Sequence, residues 1–190
     1  MSKPFASLAL FATLTAAACG GGPKPSTTTG PTAAGGGAAA AVTVQQIDWL
    51  NRTYDPGVIP PVTLIDGAAE LALGEDEPGS FELSRPPDFV DLTGDGADEA
   101  ILFTVLHRGT GFTTAVDVWT IRDGKEVLLA RLDGGDGHIG DANPVAGILN
   151  IERQVTVDGQ RKLRHEEWSW NGAALVEDET KRTFEDDHSD

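Results

Sequence analysis

The chain has 190 residues, of which 14 are Lys or Arg and 30 are Asp or Glu, so its formal net charge is −16 at pH 7. An electrostatic field of this sign opposes binding to nucleic acids and to anionic lipid surfaces and favours cations. On this ground we exclude nucleic-acid binding. The single cysteine cannot form an internal disulfide, and the chain is long enough to bury a core without one.

The N-terminus has the pattern of a secretory signal peptide. Lys3 provides a weakly positive start, residues 5–14 form a short apolar stretch, and three small alanines end at Ala18. The apolar stretch is shorter than the about 20 residues that a transmembrane helix needs. We therefore predict a signal peptide at residues 1–18 and export of the chain that follows.

Cys19 follows this leader directly. Residues 16–19, Ala-Ala-Ala-Cys, resemble a bacterial lipobox, in which the cysteine thiol is acylated and becomes the new N-terminus. The sequence departs from that pattern at Ala16, where leucine is usual; the nearest leucine is Leu14. The resemblance implies that a lipid on Cys19 anchors the protein in a bacterial cell envelope; if the cell is Gram-negative, the expected membrane is the outer one. The alternative is an ordinary signal peptide cleaved after Ala18, which leaves an unpaired thiol in an oxidising compartment.

The composition changes twice along the remaining chain. Residues 20–41 are almost entirely Gly, Ala, Thr, Pro and Ser, which offer no apolar face to bury, so we predict a flexible tether. A Gly-rich coil of this length spans about 25 Å on average. Residues 42–184 are expected to form one β-rich domain, followed at residues 185–190 by a solvated acidic tail containing Glu185, Asp186, Asp187 and Asp190.

Two-residue turn signals punctuate the expected domain. Asp-Gly and Asn-Gly pairs supply the positive φ angles of a tight type I′ hairpin turn, and each pair here is flanked by β-branched or aromatic alternation. The four pairs are Asp66-Gly67, Asp123-Gly124, Asp158-Gly159 and Asn171-Gly172. They predict hairpins of residues 62–65 with 68–73, of 115–121 with 126–132 and of 148–157 with 162–170, and a short return at 173–176.

These hairpins predict a mainly β domain with an antiparallel sheet, folded as a sandwich or a half-barrel. In residues 115–121 the two alternating sets of side chains are both largely apolar, so both faces of that strand are expected to be covered. Residues 49–54 fit one helical turn or a strand equally well. We expect a long loop at residues 133–144, and we assign the large aromatic side chains to the core or the sheet faces: Phe103, Trp119, Trp168 and Trp170.

An acidic loop at residues 91–99 precedes an apolar strand at residues 100–106. Calcium binds six to eight oxygens, which a loop supplies from alternate residues around a glycine. With Asp91 as position one, the oxygens come from Asp91, Thr93 and Asp95, from the carbonyl of Ala97, and from Glu99, with Gly96 at the turn. Position twelve is Leu102, so the bidentate glutamate of a complete EF-hand is missing.

This loop resembles the calcium-binding loops of dockerin and of FG-GAP propeller blades, which share the Asp-x-x-Gly-Asp-Gly core. A propeller needs several copies, and the chain contains one, so we reject that fold. The resemblance implies weak calcium binding, of order 10⁻⁴ to 10⁻³ M as in extracellular modules. The alternative is a turn without metal, in which the carboxylates cap backbone N–H groups.

Residues 47–176 contain a series of short motifs, and the order of these motifs along the chain is informative. They include the Trp-Leu-Asn-Arg-Thr-Tyr segment at 49–54, the acidic loop, Gly-Thr-Gly-Phe at 109–112 and Trp-Asn-Gly at 170–172. This order resembles a group of uncharacterised bacterial secreted proteins and lipoproteins. The resemblance implies a single exported β-rich domain and no particular activity.

Two further clusters carry alternative interpretations. Asp136, His138 and Asp141, joined by His107 or His165, could form a hydrolytic metal site with an open position. The Gly-rich surroundings of this cluster look like one calcium nonapeptide, but a single copy cannot stack into a coil. The basic cluster comprises Arg161, Lys162 and Arg164, which we expect along a strand opposite acidic neighbours, with an anion-binding patch as the alternative.

The functional prediction is a monomeric, membrane-anchored domain without catalytic activity. It would serve the envelope as a structural or interaction module whose partner is an envelope protein or polymer, with calcium as its cofactor. A metal-dependent hydrolase using Asp136, His138 and Asp141 is one alternative. A partner-specific inhibitor or a solute-binding lipoprotein is the other.

Overall fold

The computed structural model describes residues 42–74, 78–135 and 137–187. The leader, Cys19, the tether at 20–41, Asp136 and Asp190 lie outside the described residues. Within them, short 3-10 helices span Val44–Gln46 and Glu179–Lys181. The strands are β1 (Thr53–Tyr54), β2 (Val62–Thr63), β3 (Ala68–Ala72), β4 (Pro78–Leu83), β5 (Asp88–Val90), β6 (Glu99–Arg108), β7 (Gly111–Arg122), β8 (Lys125–Asp133), β9 (Gly137–Val145), β10 (Ile148–Val157), β11 (Gln160–Trp170), β12 (Leu175–Glu177) and β13 (Thr183–Asp186).

The strands form two main sheets and one small one. The first sheet has the order β3-β4-β6-β7-β8, with β5 also paired to β6. The second has the order β12-β11-β10-β9, with β13 also paired to β11, and β1 pairs with β2. Every described pairing is antiparallel. The predicted mainly β, antiparallel fold is confirmed, in its sandwich form. Among the described residues, no helix has the length and apolar composition needed to cross a membrane.

The first sheet is covered on both faces. One face packs on the second sheet through a core that includes Ile101, Val116 and Val118. The other face packs on an N-terminal layer, residues 44–64, through a second core that includes Trp49, Tyr54 and Leu102. Strand β6 lies in both cores and is buried throughout residues 99–106, which is why residues 100–106 are almost all apolar and do not alternate.

The four large aromatic side chains that we assigned to the core or the sheet faces lie there. Phe103 is buried in the first core, and Trp168 and Trp170 are half-buried against it. Trp119 packs against the second core, with its ring centroid 6.0 Å from that of Trp49. Their assignment to the core and sheet faces is confirmed.

Three of the four predicted turns have the backbone that the dipeptides favour. The Asp and Gly of 66–67, 123–124 and 158–159 all have positive φ, between 51° and 86°. At Asn171-Gly172 only the glycine does, and Asn171 instead accepts hydrogen bonds on Oδ1 from the N–H groups of Ala173 and Ala174. A further turn with two positive φ values, Ala146-Gly147, joins β9 to β10.

The predicted hairpins of β7 with β8 and of β10 with β11 are confirmed. The first predicted hairpin is wrong, because β2 pairs with β1 and β3 pairs with β4. A single bridge from Ile65 to Ala68 remains of it. The reason is burial: Val62 and Leu64 pack with Tyr54 in the second core, so their strand follows the N-terminal layer and not the first sheet.

The predicted loop at residues 133–144 is wrong, since most of it is strand β9. Ile139 and Ala142 are 1% and 0% exposed, and a bulge at Gly140 of β9, opposite Glu152 and Arg153 of β10, accommodates the pairing. This burial compensates for the poor β propensity of the glycines and of Pro144. The N-terminal stretch that fitted a helix or a strand contains only the short β1.

The C-terminal strand β13 includes Glu185 and Asp186, which we expected in a solvated tail. Both are exposed. They are paired because β13 lies beside the basic part of β11, where the Lys162 ammonium is 2.7 Å from Asp186 and Arg161 is 2.9 Å from Asp187. The basic cluster therefore lies along a strand opposite acidic neighbours, as predicted.

Candidate functional site

The acidic loop connects β5 to β6 and is closed by its own carboxylates. The N–H groups of Gly94 and Gly96 donate to the two oxygens of Asp91, at 2.7 and 3.0 Å. The Ala97 N–H donates to Oδ1 of Asp95 at 2.8 Å. Gly94 and Gly96 have φ of 75° and 88°, a region that glycine enters without strain, so the loop curls tightly around Asp91.

Glu99 lies beneath this loop at the start of β6 and is fully buried. Its Oε2 accepts from the N–H groups of Leu92 and Thr93, at 2.9 and 3.0 Å, and its Oε1 accepts from the hydroxyl of Thr120 at 3.0 Å. Burial raises the pKa of the Glu99 carboxyl, and these hydrogen bonds oppose that rise in part. Glu99 thus ties the loop to β6 and β7.

The predicted calcium ligands are therefore not all on one side of the loop. Asp91 is half-buried, Asp95 and Ala97 are exposed, and Glu99 points inward. No group of three or more His, Cys, Asp or Glu side chains in the described part of the chain is arranged to hold a metal ion. The hydrogen bonds are those expected of a turn whose carboxylates cap backbone N–H groups. Each carboxylate oxygen has a second lone pair that such a bond leaves free.

Asp98 is a loop residue that the sequence did not single out. Its Oδ2 accepts a hydrogen bond from the Gln45 amide at 2.5 Å, which joins the loop to the N-terminal layer. In the sequence only the acidic run itself points to Asp98, because its partner, Gln45, is distant in the chain.

The residues proposed for a hydrolytic site have other partners. His138 stacks on Phe112 with ring centroids 4.6 Å apart, and the Asp141 carboxylate is 2.6 Å from the Arg85 guanidinium. His165 lies between two carboxylates, 3.9 Å from Glu152 and 3.8 Å from Glu185. The remaining histidine considered for this site, His107, is 3.3 Å from Glu82, and Asp136 is outside the described residues.

Sequence reasoning missed two buried ion pairs that join strands. Asp117 on β7 is fully buried and accepts two hydrogen bonds from Arg131 on β8, both at 2.6 Å. Glu166 on β11 is 2% exposed and accepts from Arg153 on β10 at 3.0 Å. The only available signal was a charged residue at an inward position of an alternating strand, as Asp117 is in residues 115–121.

Comparison with protein-family models, with curated proteins and with solved structures finds no match to this chain.

Proposed function

We propose that this protein is a lipid-anchored β-sandwich of the bacterial cell envelope that acts as a structural or interaction module without catalytic activity. The observation that supports it best concerns the buried carboxylates. Glu99, Asp117 and Glu166 each accept hydrogen bonds from other residues of the domain. Their charges therefore serve to stabilise the fold, as expected of a structural module. The partner in this proposal is an envelope protein or polymer, and the module is a monomer.

The lipobox-like end of the leader supports the anchor. The chain has one cysteine, at the point where a lipoprotein is acylated, and a Gly- and Ala-rich stretch of residues follows it. A diacylglycerol with a further acyl chain provides enough buried hydrocarbon for stable attachment, whereas a single acyl chain does not. The tether then lets the domain reach partners beyond the headgroups.

Replacing Cys19 with Ser is expected to release the protein from membranes. The wild-type protein, expressed in a bacterial host, should partition into the membrane fraction and incorporate a labelled fatty acid; the Ser variant should do neither. Cell fractionation and the mass of the N-terminal peptide measure both. A wild-type N-terminus at Cys19 without added lipid mass would contradict the proposal. Ser26→Ala, in the tether, is the control and should leave attachment unchanged.

Calcium in the acidic loop is part of the proposal as a brace for the entry to β6. If the Kd is about 10⁻⁴ M, then free calcium of about 10⁻³ M adds about 1.4 kcal/mol of stability. For a domain of this size we expect the melting temperature to rise by about 4 °C relative to chelator. Thermal melts in EGTA and in calcium measure this.

Asp95→Asn is the matched variant for the calcium prediction. Its amide oxygen keeps the hydrogen bond from the Ala97 N–H, so only the charge is lost. The calcium-dependent rise should disappear in this variant and persist in Asp158→Asn, which alters an exposed aspartate in another turn. Equal melts of the wild-type protein in EGTA and in calcium would remove calcium from the proposal.

A further inference from the structure

The return from β11 to β12 passes through Asn171-Gly172, the one Asn-Gly pair in the chain. Residues 171–174 lie between the two strands, and all four are exposed. A segment of this kind has few buried contacts to oppose a local rearrangement of its backbone. Water and small bases therefore reach both residues of the pair.

The side-chain amide of Asn171 is bound through its oxygen. Oδ1 accepts from the backbone N–H groups of Ala173 and Ala174, at 2.9 and 3.0 Å. Two N–H donors on one carbonyl oxygen stabilise the negative charge that develops there when a nucleophile attacks the carbonyl carbon, as in an oxyanion hole. Among the described residues, no group accepts a hydrogen bond from Nδ2, so no contact holds the amino group in place.

The backbone nitrogen of Gly172 is the nucleophile next to this amide. Its attack on Cγ of Asn171 closes a five-membered ring, and an intramolecular reaction of this kind has a high effective concentration. Glycine has no Cβ to crowd the approach. In the described part of the chain, no group accepts from the Gly172 N–H either. The attacking nitrogen and the leaving nitrogen are thus both without a hydrogen bond to break.

The other three asparagines lack this combination. Nδ2 of Asn51 donates to both oxygens of Asp48, at 3.2 and 3.1 Å. Nδ2 of Asn150 donates to the carbonyl of Asn143 at 3.2 Å. Asn143 itself precedes Pro144, whose nitrogen carries no hydrogen and cannot close the ring. The Asn-Gly pair is therefore the asparagine site that the structure leaves open to this reaction.

We propose that Asn171 is a site of spontaneous covalent modification, at which the chain converts the asparagine to aspartate and isoaspartate. The nitrogen of Gly172 loses its proton to solvent and bonds to Cγ of Asn171. The Cγ–Nδ2 bond breaks, and Nδ2 takes up a proton and leaves as ammonia. Water then adds to one of the two carbonyl carbons of the succinimide ring. Opening at Cγ gives aspartate, opening at the backbone carbonyl carbon gives isoaspartate, and no oxidant or reductant takes part.

The isoaspartate product adds a methylene group to the main chain at the end of β11. The pair of β11 and β12 nearest to the turn is Trp170 with Leu175, and Leu175 is buried in the first core. A longer turn shifts this pair, so we expect the amides of β12 to exchange faster in the isoaspartate form. The site is independent of the lipid anchor and of the acidic loop, so its failure leaves the proposed function standing, and the converse also holds.

The test is incubation of the purified full-length chain in neutral and in mildly alkaline buffer, followed by peptide mapping. Mass spectrometry detects the exchange of an amide for a carboxyl group, and chromatography separates isoaspartate from aspartate peptides. We expect Asn171 to convert at least tenfold faster than Asn51, Asn143 and Asn150, and faster in alkaline buffer, where the Gly172 nitrogen loses its proton more readily. Similar rates at the four asparagines would overturn the proposal. An Asn171 that stays intact in the folded chain and converts only in urea would also overturn it, because the turn would then protect the amide.

Two glycine variants test the attacking nitrogen. Gly172→Ala places a Cβ beside this nitrogen and should slow the conversion at least tenfold. Gly159→Ala is the matched control and should leave the rate unchanged. Both glycines have positive φ, 95° and 79°, and a Cβ on either would meet no other atom within 4 Å, so the two substitutions impose similar backbone strain. Wild-type conversion in Gly172→Ala would refute the reaction.

Asn171→Asp is the reference for the consequence at β12. It keeps oxygens for the N–H groups of Ala173 and Ala174 and leaves the main chain unchanged. Amide exchange at Leu175 should therefore match that of the unmodified protein in this variant and be faster in the isoaspartate form. Equal exchange in the two products would contradict the shift of β12.

Discussion

Replacing Glu166 with alanine is expected to lower the free energy of unfolding by about 3–5 kcal/mol, because it leaves buried charges without their partner. Oε1 of Glu166 accepts from Arg153 at 3.0 Å and from Arg164 at 2.6 Å, and its Oε2 accepts from the indole N–H of Trp168 at 2.9 Å. Arg153 is itself only 5% exposed, so water cannot replace the lost carboxylate. Urea denaturation at pH 7 measures the change.

Glu167→Ala is the matched control for this variant. Glu167 is the next residue on β11, and its carboxylate pairs with the half-exposed Lys181 at 2.5 Å. Surface ion pairs contribute about 0–1 kcal/mol, so this variant should be close to the wild type. Similar losses in the two variants would contradict the importance that we give to the buried network.

The same network predicts a dependence of stability on pH. Burial by itself would raise the pKa of the Glu166 carboxyl, but hydrogen bonds from Arg153, Trp168 and Arg164 outweigh it and hold the pKa below its ordinary value. The ionised carboxylate therefore stabilises the fold fully above about pH 4.3, and this stabilisation is lost as the pH falls through the lower pKa of the folded protein. Glu166→Gln should lack that component, so its stability should change less than that of the wild type between pH 5 and pH 3. Parallel pH profiles would refute the assignment.

Replacing Gly137 with alanine is expected to lower the free energy of unfolding by about 3 kcal/mol, as overpacking against backbone does. A Cβ at this position would overlap the carbonyl oxygen of Gln154 and lie 2.8 Å from its carbonyl carbon. Gln154 belongs to β10, the strand that pairs with β9, so one of the two backbones must move. Chemical denaturation and amide exchange along β9 and β10 measure the effect.

Gly140→Ala, three residues along the same strand, is the control. Its Cβ would meet nothing closer than the Glu152 carboxylate at 3.6 Å, which is an ordinary contact. This variant should keep wild-type stability within about 1 kcal/mol, because only the glycine-to-alanine difference in backbone entropy remains. If Gly137→Ala and Gly140→Ala unfold at the same denaturant concentration, the close approach of β9 to β10 at Gly137 is wrong.

The acidic loop shows how far sequence reasoning reached at the candidate site. The spacing of Asp91, Asp95 and Glu99 around two glycines predicted a tight turn before a buried strand, and that turn is present. Spacing along the chain does not specify which way a side chain points. Glu99 turned inward because Thr120, on the neighbouring strand, and the N–H groups of Leu92 and Thr93 all lie beneath the loop.

The sequence by itself determined those features that depend on neighbouring residues. The Asp-Gly turns and the β7–β8 and β10–β11 hairpins are of this kind, because the φ preferences of two residues and a short loop set the turn and the register next to it. The predictions of a leader at residues 1–18 and a tether at residues 20–41 likewise depend only on local composition.

Only the tertiary structure decided the pairing of β1 with β2, the strand character of β9 and the buried ion pairs. Each brings together residues that are distant in the chain, as when the Asp55 carbonyl meets Arg131. The free energy of such contacts comes from burying two surfaces against each other, and a single segment contains only one of them. For that reason the glycine- and proline-containing residues of β9 resembled a loop until β10 and the first core were packed against them.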